Sequence, residues 1–432
     1  MTEVDLLARH RAVLPSWLSL YYQEPLEIVS GKGNRVVGAD GRTYLDFFAG
    51  ILTNMVGYDL PEVREAVEAQ LRTGVVHTST LYLLRSQVEL AEKIARISGI
   101  PDARVFFTNS GTEANEAALL LATAYRRSNQ VIALRNSYHG RGFGTTSVTG
   151  NRGWSPSSLS PFSVLYAQGG YRFRSSFRGF DDAAFVAACV TDLRELLATA
   201  SAGDVACLIA EPVQGVGGFA VPPDGLLKAY EEVLDETGTL LISDEVQTGW
   251  GRTGEHFWGY QASGVTPDLL TFAKGVGGGF AMGGVVGRAE VMDCLQANSI
   301  STFGGNPVAT AAANAVLDYV LSHDLQASAA KLGTRLLDGL REAAARLPFV
   351  GEVRGKGLMV GIELVGPDGY APAPAAAAAV LEQTRRSGLL VGKGGLHGNV
   401  LRVAPPLTIT AEEVEEGLAI LVGALESVQR DL

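Results

Sequence analysis

Between residues 104 and 287 the chain alternates short apolar runs with longer stretches of helical period. The runs are Arg104–Thr108, Val131–Arg135, Ser163–Tyr166, Val205–Ala210, Thr239–Ser243, Leu269–Phe272 and Gly283–Gly287. Several are continuously apolar rather than alternating, which suits strands covered on both faces. The rhythm predicts an α/β fold in which a mainly parallel seven-stranded sheet lies between helices. Upstream, the pattern predicts a short helix over Asp5–Leu14, extended pieces at Leu26–Ser30 and Arg35–Ala39, and an Asp40-Gly41 hairpin turn into Thr43–Phe48. Helical period then covers Pro61–Leu71, with Pro in the first turn, and Ser86–Ile97. Beyond residue 325 the order changes to a helix (Leu325–Arg346) and a strand pair (Gly351–Arg354, Gly357–Leu364). An Ala-rich surface helix near Ala375–Arg386, strands at Leu389–Val391 and Val400–Val403, and a helix from Thr410 complete the chain. This division predicts a large α/β domain over residues 61–324 and a smaller α+β domain built from residues 1–60 and 325–432.

Composition narrows the classes. With 432 residues, 47% hydrophobic and 19% charged, the chain has ample material for a buried core and is too apolar for a disordered polymer. Lys and Arg total 35 against 46 Asp and Glu, a net charge of −11 with no basic run, which argues against a nucleic-acid surface. Cys189, Cys207 and Cys294 are too scattered for a disulfide framework or a CxxC pair, as in a reducing compartment. Asp5, Arg9, His10 and Arg11 interrupt any signal-peptide pattern, and no run reaches the roughly 18–20 apolar residues of a bilayer span. The expectation is a cytoplasmic protein without membrane, nucleic-acid or metal partners.

In open α/β sheets ligands bind beyond the carboxyl ends of the strands, so the residues after each predicted strand carry the candidate chemistry. Thr108 to Asn115 put Ser110, Gly111 and Thr112 at a helix start, where free N–H groups and the helix dipole would cradle a phosphate. Ordinary N-capping by Ser110 or Thr112 reads the same way. Tyr138, before His139 and Gly140, is a candidate stacking ring or a core aromatic. Glu211 follows an apolar strand where a carboxylate is costly to bury unless paired. Asp244 ends another, as a helix cap or as a fixed carboxylate able to hold a proton on a heterocyclic nitrogen. Lys274 lies between apolar residues and a Gly-rich stretch; it is a snorkelling lysine or an amine able to form a Schiff base. An anion cradle, an aromatic, two carboxylates and a lysine at one sheet edge match the phosphate, ring, pyridine nitrogen and aldehyde of pyridoxal phosphate.

These motifs resemble, in order and over essentially the whole chain, those of the class III pyridoxal-phosphate aminotransferases of fold type I. The resemblance is carried by Asn109–Ala114, Tyr138-His139-Gly140, Glu211–Gly215, Asp244–Gly249 and Ala273-Lys274-Gly275, and continues through Thr302–Pro307, Arg354–Gly357 and Leu401–Pro406. It implies that Lys274 is the Schiff-base lysine and proton shuttle, and that Asp244 keeps the pyridine nitrogen protonated. It implies further that Ser110, Gly111 and Thr112 hold the phosphate, joined across a homodimer by Thr302 of the partner subunit. Tyr138 and Val246 would enclose the ring, with His139 beside it, and Gln247 would bond its phenolic oxygen. Arg402 would bind a substrate α-carboxylate and pair with Glu211 when a substrate lacks one, in a ping-pong cycle between amino donor and 2-oxo acid.

Within the family, Tyr22–Pro25, Tyr44–Ile51, His77–Thr80, His256–Gly259 and Leu389–Gly395 are similar to the type 2 alanine–glyoxylate aminotransferases, which also use β-alanine-like donors. Tyr22 and Ile51 are the substrate-side candidates among them. Arg141 departs from that branch: an Arg directly after Tyr-His-Gly is what 4-aminobutyrate aminotransferases use to grip a distal carboxylate. The alternatives are therefore a 4-aminobutyrate or other ω-amino acid:2-oxoglutarate aminotransferase, with Arg141 also readable as a rim or structural residue, and a decarboxylase or aminomutase on the same scaffold. The Arg- and aromatic-rich stretch Gly169–Phe180 is expected to contact the partner subunit or to shape a pocket.

Overall fold

Along the chain, a meander of β1 (Ile28–Lys32), β2 (Arg35–Gly38) and β3 (Thr43–Asp46) precedes the helical segments Pro61–Arg72 and Arg85–Ile97 in the computed structural model, which describes residues 5–431. The β2–β3 turn is where the Asp-Gly pair predicts it, with Gly41 at φ +77. β3 stops at Asp46 instead of running on to Phe48. Asp46 Oδ1 accepts the Phe48 and Ala49 N–H groups at 2.8 and 2.9 Å, and Tyr58 donates to its other oxygen at 2.6 Å. The chain then makes four consecutive left-handed residues, Ala49 to Leu52 (φ 49, 60, 64 and 63), a costly conformation for β-branched Ile51.

The seven apolar runs become β4 (Ala103–Thr108), β5 (Gln130–Leu134), β6 (Ser163–Ala167), β7 (Cys207–Ala210), β8 (Leu240–Asp244), β9 (Leu269–Ala273) and β10 (Gly283–Arg288). They form one sheet in the order β4-β10-β9-β8-β7-β5-β6, parallel except for β10, which runs antiparallel to both its neighbours. Every residue of β5, β7, β8 and β9 is buried, which is why those runs show no period-two alternation. The carboxyl ends of all the parallel strands therefore share one edge of the sheet.

The C-terminal segment adds β11 (Val350–Lys356), β12 (Met359–Leu364), β13 (Leu389–Leu390), β14 (Gly392–Gly394) and β15 (Val400–Val403). β11-β12-β15-β14 is a four-stranded antiparallel sheet, whereas β13 pairs in parallel with β3, so the two ends of the chain share a sheet. The Ala-rich helix, Pro374–Arg386, is not a plain surface helix: Ala376, Ala377, Val380, Leu381, Glu382, Thr384 and Arg385 are buried. Its small side chains let it sit close to the strands beneath. The Gly169–Phe180 stretch packs on its own chain, where Arg174 Nε meets Glu363 of β12 at 2.6 Å and Tyr171 also bonds Glu363. No helix among the described residues is long and apolar enough to cross a membrane.

Candidate active site

At the shared carboxyl edge, one pocket is lined by Ser110, Gly111, Thr112, Tyr138, His139, Glu211, Asp244, Val246, Gln247 and Lys274, with Asn115 and Gly140. Ser110 is extended and caps the helix Gly111–Arg126, its Oγ accepting the Glu113 N–H at 3.2 Å. Capping and cradling coexist, because the first-turn N–H groups of Gly111 and Thr112 have no intrahelical acceptor. Gly111 is needed here: a Cβ would lie 2.9 Å from Val246 Cγ1.

Asp244 is 4% exposed at the end of β8. Its Oδ2 accepts from Asn115 Nδ2 at 2.7 Å and lies 2.8 Å from His139 Nδ1, while Oδ1 accepts only the Val246 N–H at 3.1 Å. That oxygen retains capacity for a further donor from the pocket. Asn115 is in turn oriented by the Thr271 hydroxyl at 2.7 Å and donates to the His139 carbonyl. Asn115 has no expected role in the sequence; its signal there is an amide among the Ala and Leu residues of an otherwise apolar helix face.

Lys274 leaves β9 with φ +51, a strained conformation for a side-chain-bearing residue. Burial pushes its amine down to about 8, against the pull of the Asp244 and Glu211 carboxylates and with a smaller push from Arg402. Glu211 is buried, which drives its carboxyl above the usual range, helped by Asp244 and opposed by His139. Its oxygens accept the Tyr138 N–H at 2.9 Å and the Gly215 N–H at 2.8 Å. Arg402 does not pair with it directly. Arg402 donates to the Gly215 carbonyl at 3.3 Å and to that of Lys393 at 3.2 Å, between the rings of Phe48 and Phe219. It has no carboxylate partner among the described residues.

The other predicted residues lie outside this lining. Tyr138 itself meets Trp154 edge-on at 5.5 Å, and its phenol is pushed up by burial. Arg141 is exposed, its guanidinium 5.2 Å from the Trp17 ring and close enough to oppose the shift on Tyr138. Tyr22 donates to the Val391 carbonyl at 3.4 Å, Ile51 is 47% exposed, and Thr302 is exposed.

The pocket fits pyridoxal phosphate on its own chemistry. Two buried polar atoms of its lining residues, His139 Nε2 and Gln247 Oε1, have no partner among the described residues. With the helix N-terminus, the spare Asp244 oxygen and a desolvated amine, the donor set matches a phosphorylated, flat, protonated heterocycle bearing an aldehyde.

The family model for aminotransferase class-III matches residues 21–425. An Arabidopsis thaliana alanine–glyoxylate aminotransferase 2 homologue is 39% identical over 96% of this chain and 85% of its own length. A Mycolicibacterium smegmatis acetylornithine aminotransferase is 39% identical over 99% of this chain and 100% of its own. Among solved structures, an Arthrobacter phospholyase in complex with phosphoethanolamine superimposes with a TM-score of 0.89 at 35% identity, over 98% of this chain and 100% of that one. The chain belongs to the class-III aminotransferases, enzymes that use pyridoxal phosphate to move amino groups between amino acids and 2-oxo acids.

Proposed function

We propose that the enzyme moves the amino group of alanine, β-alanine or a related ω-amino acid to glyoxylate or pyruvate. One juxtaposition supports this reading: the Arg402 guanidinium, without a carboxylate partner among the described residues, is near enough to act on the charge of the buried Lys274 amine. When bound, pyridoxal phosphate supplies an electron sink for the charge left on the substrate Cα. Lys274 holds the cofactor covalently through Nζ, and then removes and returns the Cα proton. Asp244, kept in place by Asn115 and His139, holds the proton on the pyridine nitrogen. Ser110, Gly111 and Thr112 take the phosphate, completed in a homodimer by Thr302 of the partner subunit. Tyr138 and Val246 enclose the ring, and Gln247 turns its amide to the phenolic oxygen. Arg402 would orient the substrate carboxylate by its planar fork, and Glu211 would pair with Arg402 when the substrate has no α-carboxylate.

The depressed Lys274 amine carries a pH dependence. Only the neutral amine attacks an aldehyde, so cofactor capture by apoenzyme should speed up as pH rises and level off above about 8. Stopped-flow absorbance measures this rate; a profile still rising at pH 10 would contradict it.

A second reading rests on Arg141, an exposed guanidinium with no carboxylate partner among the described residues. It suits 4-aminobutyrate or another ω-amino acid as donor and 2-oxoglutarate as acceptor. If Arg141 binds a distal carboxylate, Arg141→Ala should weaken 4-aminobutyrate and 2-oxoglutarate by about 1.5–3 kcal/mol in kcat/KM and spare alanine, pyruvate and glyoxylate. Equal losses for every substrate would return Arg141 to a structural role. Turnover of an amino acid without any 2-oxo acid would instead favour a decarboxylase, lyase or aminomutase.

A further inference from the structure

The buried charges of the C-terminal sheet converge on the loop that follows Glu211. In register across β11, β12 and β15, Arg354 stands opposite Gly361 and Gly361 opposite Arg402. Direct cross-strand partners point to the same face, so two arginines flank a residue without a side chain. The loop from Gln214 to Ala220, closed by a bridge between those two residues, lies in that notch. Arg354 holds the Gly218 carbonyl with Nε at 3.1 Å and Nη2 at 2.9 Å, and Arg402 holds the Gly215 carbonyl at 3.3 Å. Gly361 forms the floor: a Cβ there would lie 2.5 Å from the Gly218 oxygen.

The two arginines are otherwise unlike. Arg354 is neutralised by Glu363 at 2.8 Å and Glu352 at 2.5 Å and lies over the Tyr171 ring, so it is fixed and unavailable to a substrate. Arg402 has only carbonyls and rings. Between Arg402 and Glu211 stands one residue, Gly215, whose N–H faces the carboxylate and whose C=O faces the guanidinium. A shift of that residue's backbone is felt by both groups.

We infer that Arg354 and Gly361 are positioning residues for substrate-carboxylate recognition: by pinning Gly218, whose N–H bonds the Gly215 carbonyl at 3.2 Å, they fix that carbonyl, and with it the aim of the Arg402 fork. The inference deepens the proposed function and rests on Arg402 as the carboxylate-binding group.

The test is the affinity of the holoenzyme for propionate, a carboxylate without an amino group, measured by calorimetry. Arg354→Lys keeps the charge but loses the fork; Gly361→Ala leaves every ion pair intact and pushes on the loop. In both, propionate should bind about ten- to a hundredfold more weakly, while cofactor absorbance per subunit stays at the wild-type level. A purely structural role predicts lower thermal stability and cofactor content, with unchanged propionate affinity in the fraction that retains cofactor. Unchanged affinity in Gly361→Ala would overturn the inference even if Arg354→Lys failed to fold. The donor and acceptor range of the wild-type enzyme tests the proposed function separately, and propionate binding reports on the notch whichever donors react.

Discussion

Replacing Lys274 by Ala should lower turnover by at least ~10⁴-fold and leave the enzyme folded. No other amine among the described residues lines the pocket, so neither the covalent hold on the cofactor nor the Cα proton transfer has a substitute there. The variant should lose the visible absorbance of the covalently held cofactor and retain the helical circular dichroism of the wild type. A stability effect of opposite sign should accompany the loss. In the apoenzyme, Lys274 is a buried amine with a depressed pKa, which weighs against the folded state and which Ala removes, whereas the left-handed backbone costs Ala and Lys alike. Its folded pKa of about 8 lies below the unfolded value, so the cost is full at pH values below 8 and fades as pH rises towards the unfolded pKa. Apo Lys274→Ala should therefore unfold at or above the wild-type temperature at pH 7. A lower melting temperature, or turnover within tenfold of wild type, would contradict the role given to Lys274.

Asp244→Asn should be the next most damaging change, lowering kcat by about 10²–10⁴-fold. The carboxylate sits in a nearly anhydrous place already organised around its charge, with donors from Asn115, His139 and the Val246 backbone. An amide keeps the shape and removes the charge that would hold a proton on a facing ring nitrogen. It also places an NH₂ group either against both the Asn115 NH₂ and the His139 ring or, flipped, against the Val246 N–H, so cofactor affinity should fall together with kcat. Single-turnover conversion by an amino donor separates the two effects at saturating cofactor. Weaker cofactor binding with wild-type conversion would reduce Asp244 to a packing role.

Much of the large sheet is legible from local pattern alone. Strands buried on both faces have to be continuously apolar, and all seven runs end within two residues of the observed strands. The pocket is legible for a related reason. A parallel sheet brings its carboxyl ends together, so residues distant in sequence, from Ser110 to Lys274, meet at one edge. What local pattern does not carry is set by contacts between distant segments. The end of β3 depends on Asp46 turning back onto the Phe48 and Ala49 N–H groups, which stops the strand two residues short of the expected Phe48 and leads into four left-handed residues. The Gly169–Phe180 stretch reads as a partner-subunit contact or a pocket wall; within the chain its Tyr171 and Arg174 also bond Glu363 and Arg354, residues that no local pattern connects to it. The backbone bridge of Gly215 between Glu211 and Arg402 leaves little mark on the sequence, since any residue but proline supplies an N–H and a C=O. Only the room Gly215 leaves for the Gln247 amide, whose atoms would lie 2.3–2.4 Å from a Cβ, demands glycine there.

The most direct measurement of the central claim is a titration of the holoenzyme with one substrate at a time, followed by the visible absorbance of the cofactor. The account predicts that L-alanine or β-alanine alone bleaches the band in a single stoichiometric turnover, and that glyoxylate or pyruvate restores it. Bleaching by 4-aminobutyrate with restoration by 2-oxoglutarate alone would transfer the assignment to the second reading and to Arg141. A band that no amino donor bleaches, or that no 2-oxo acid restores, would contradict the proposed transamination.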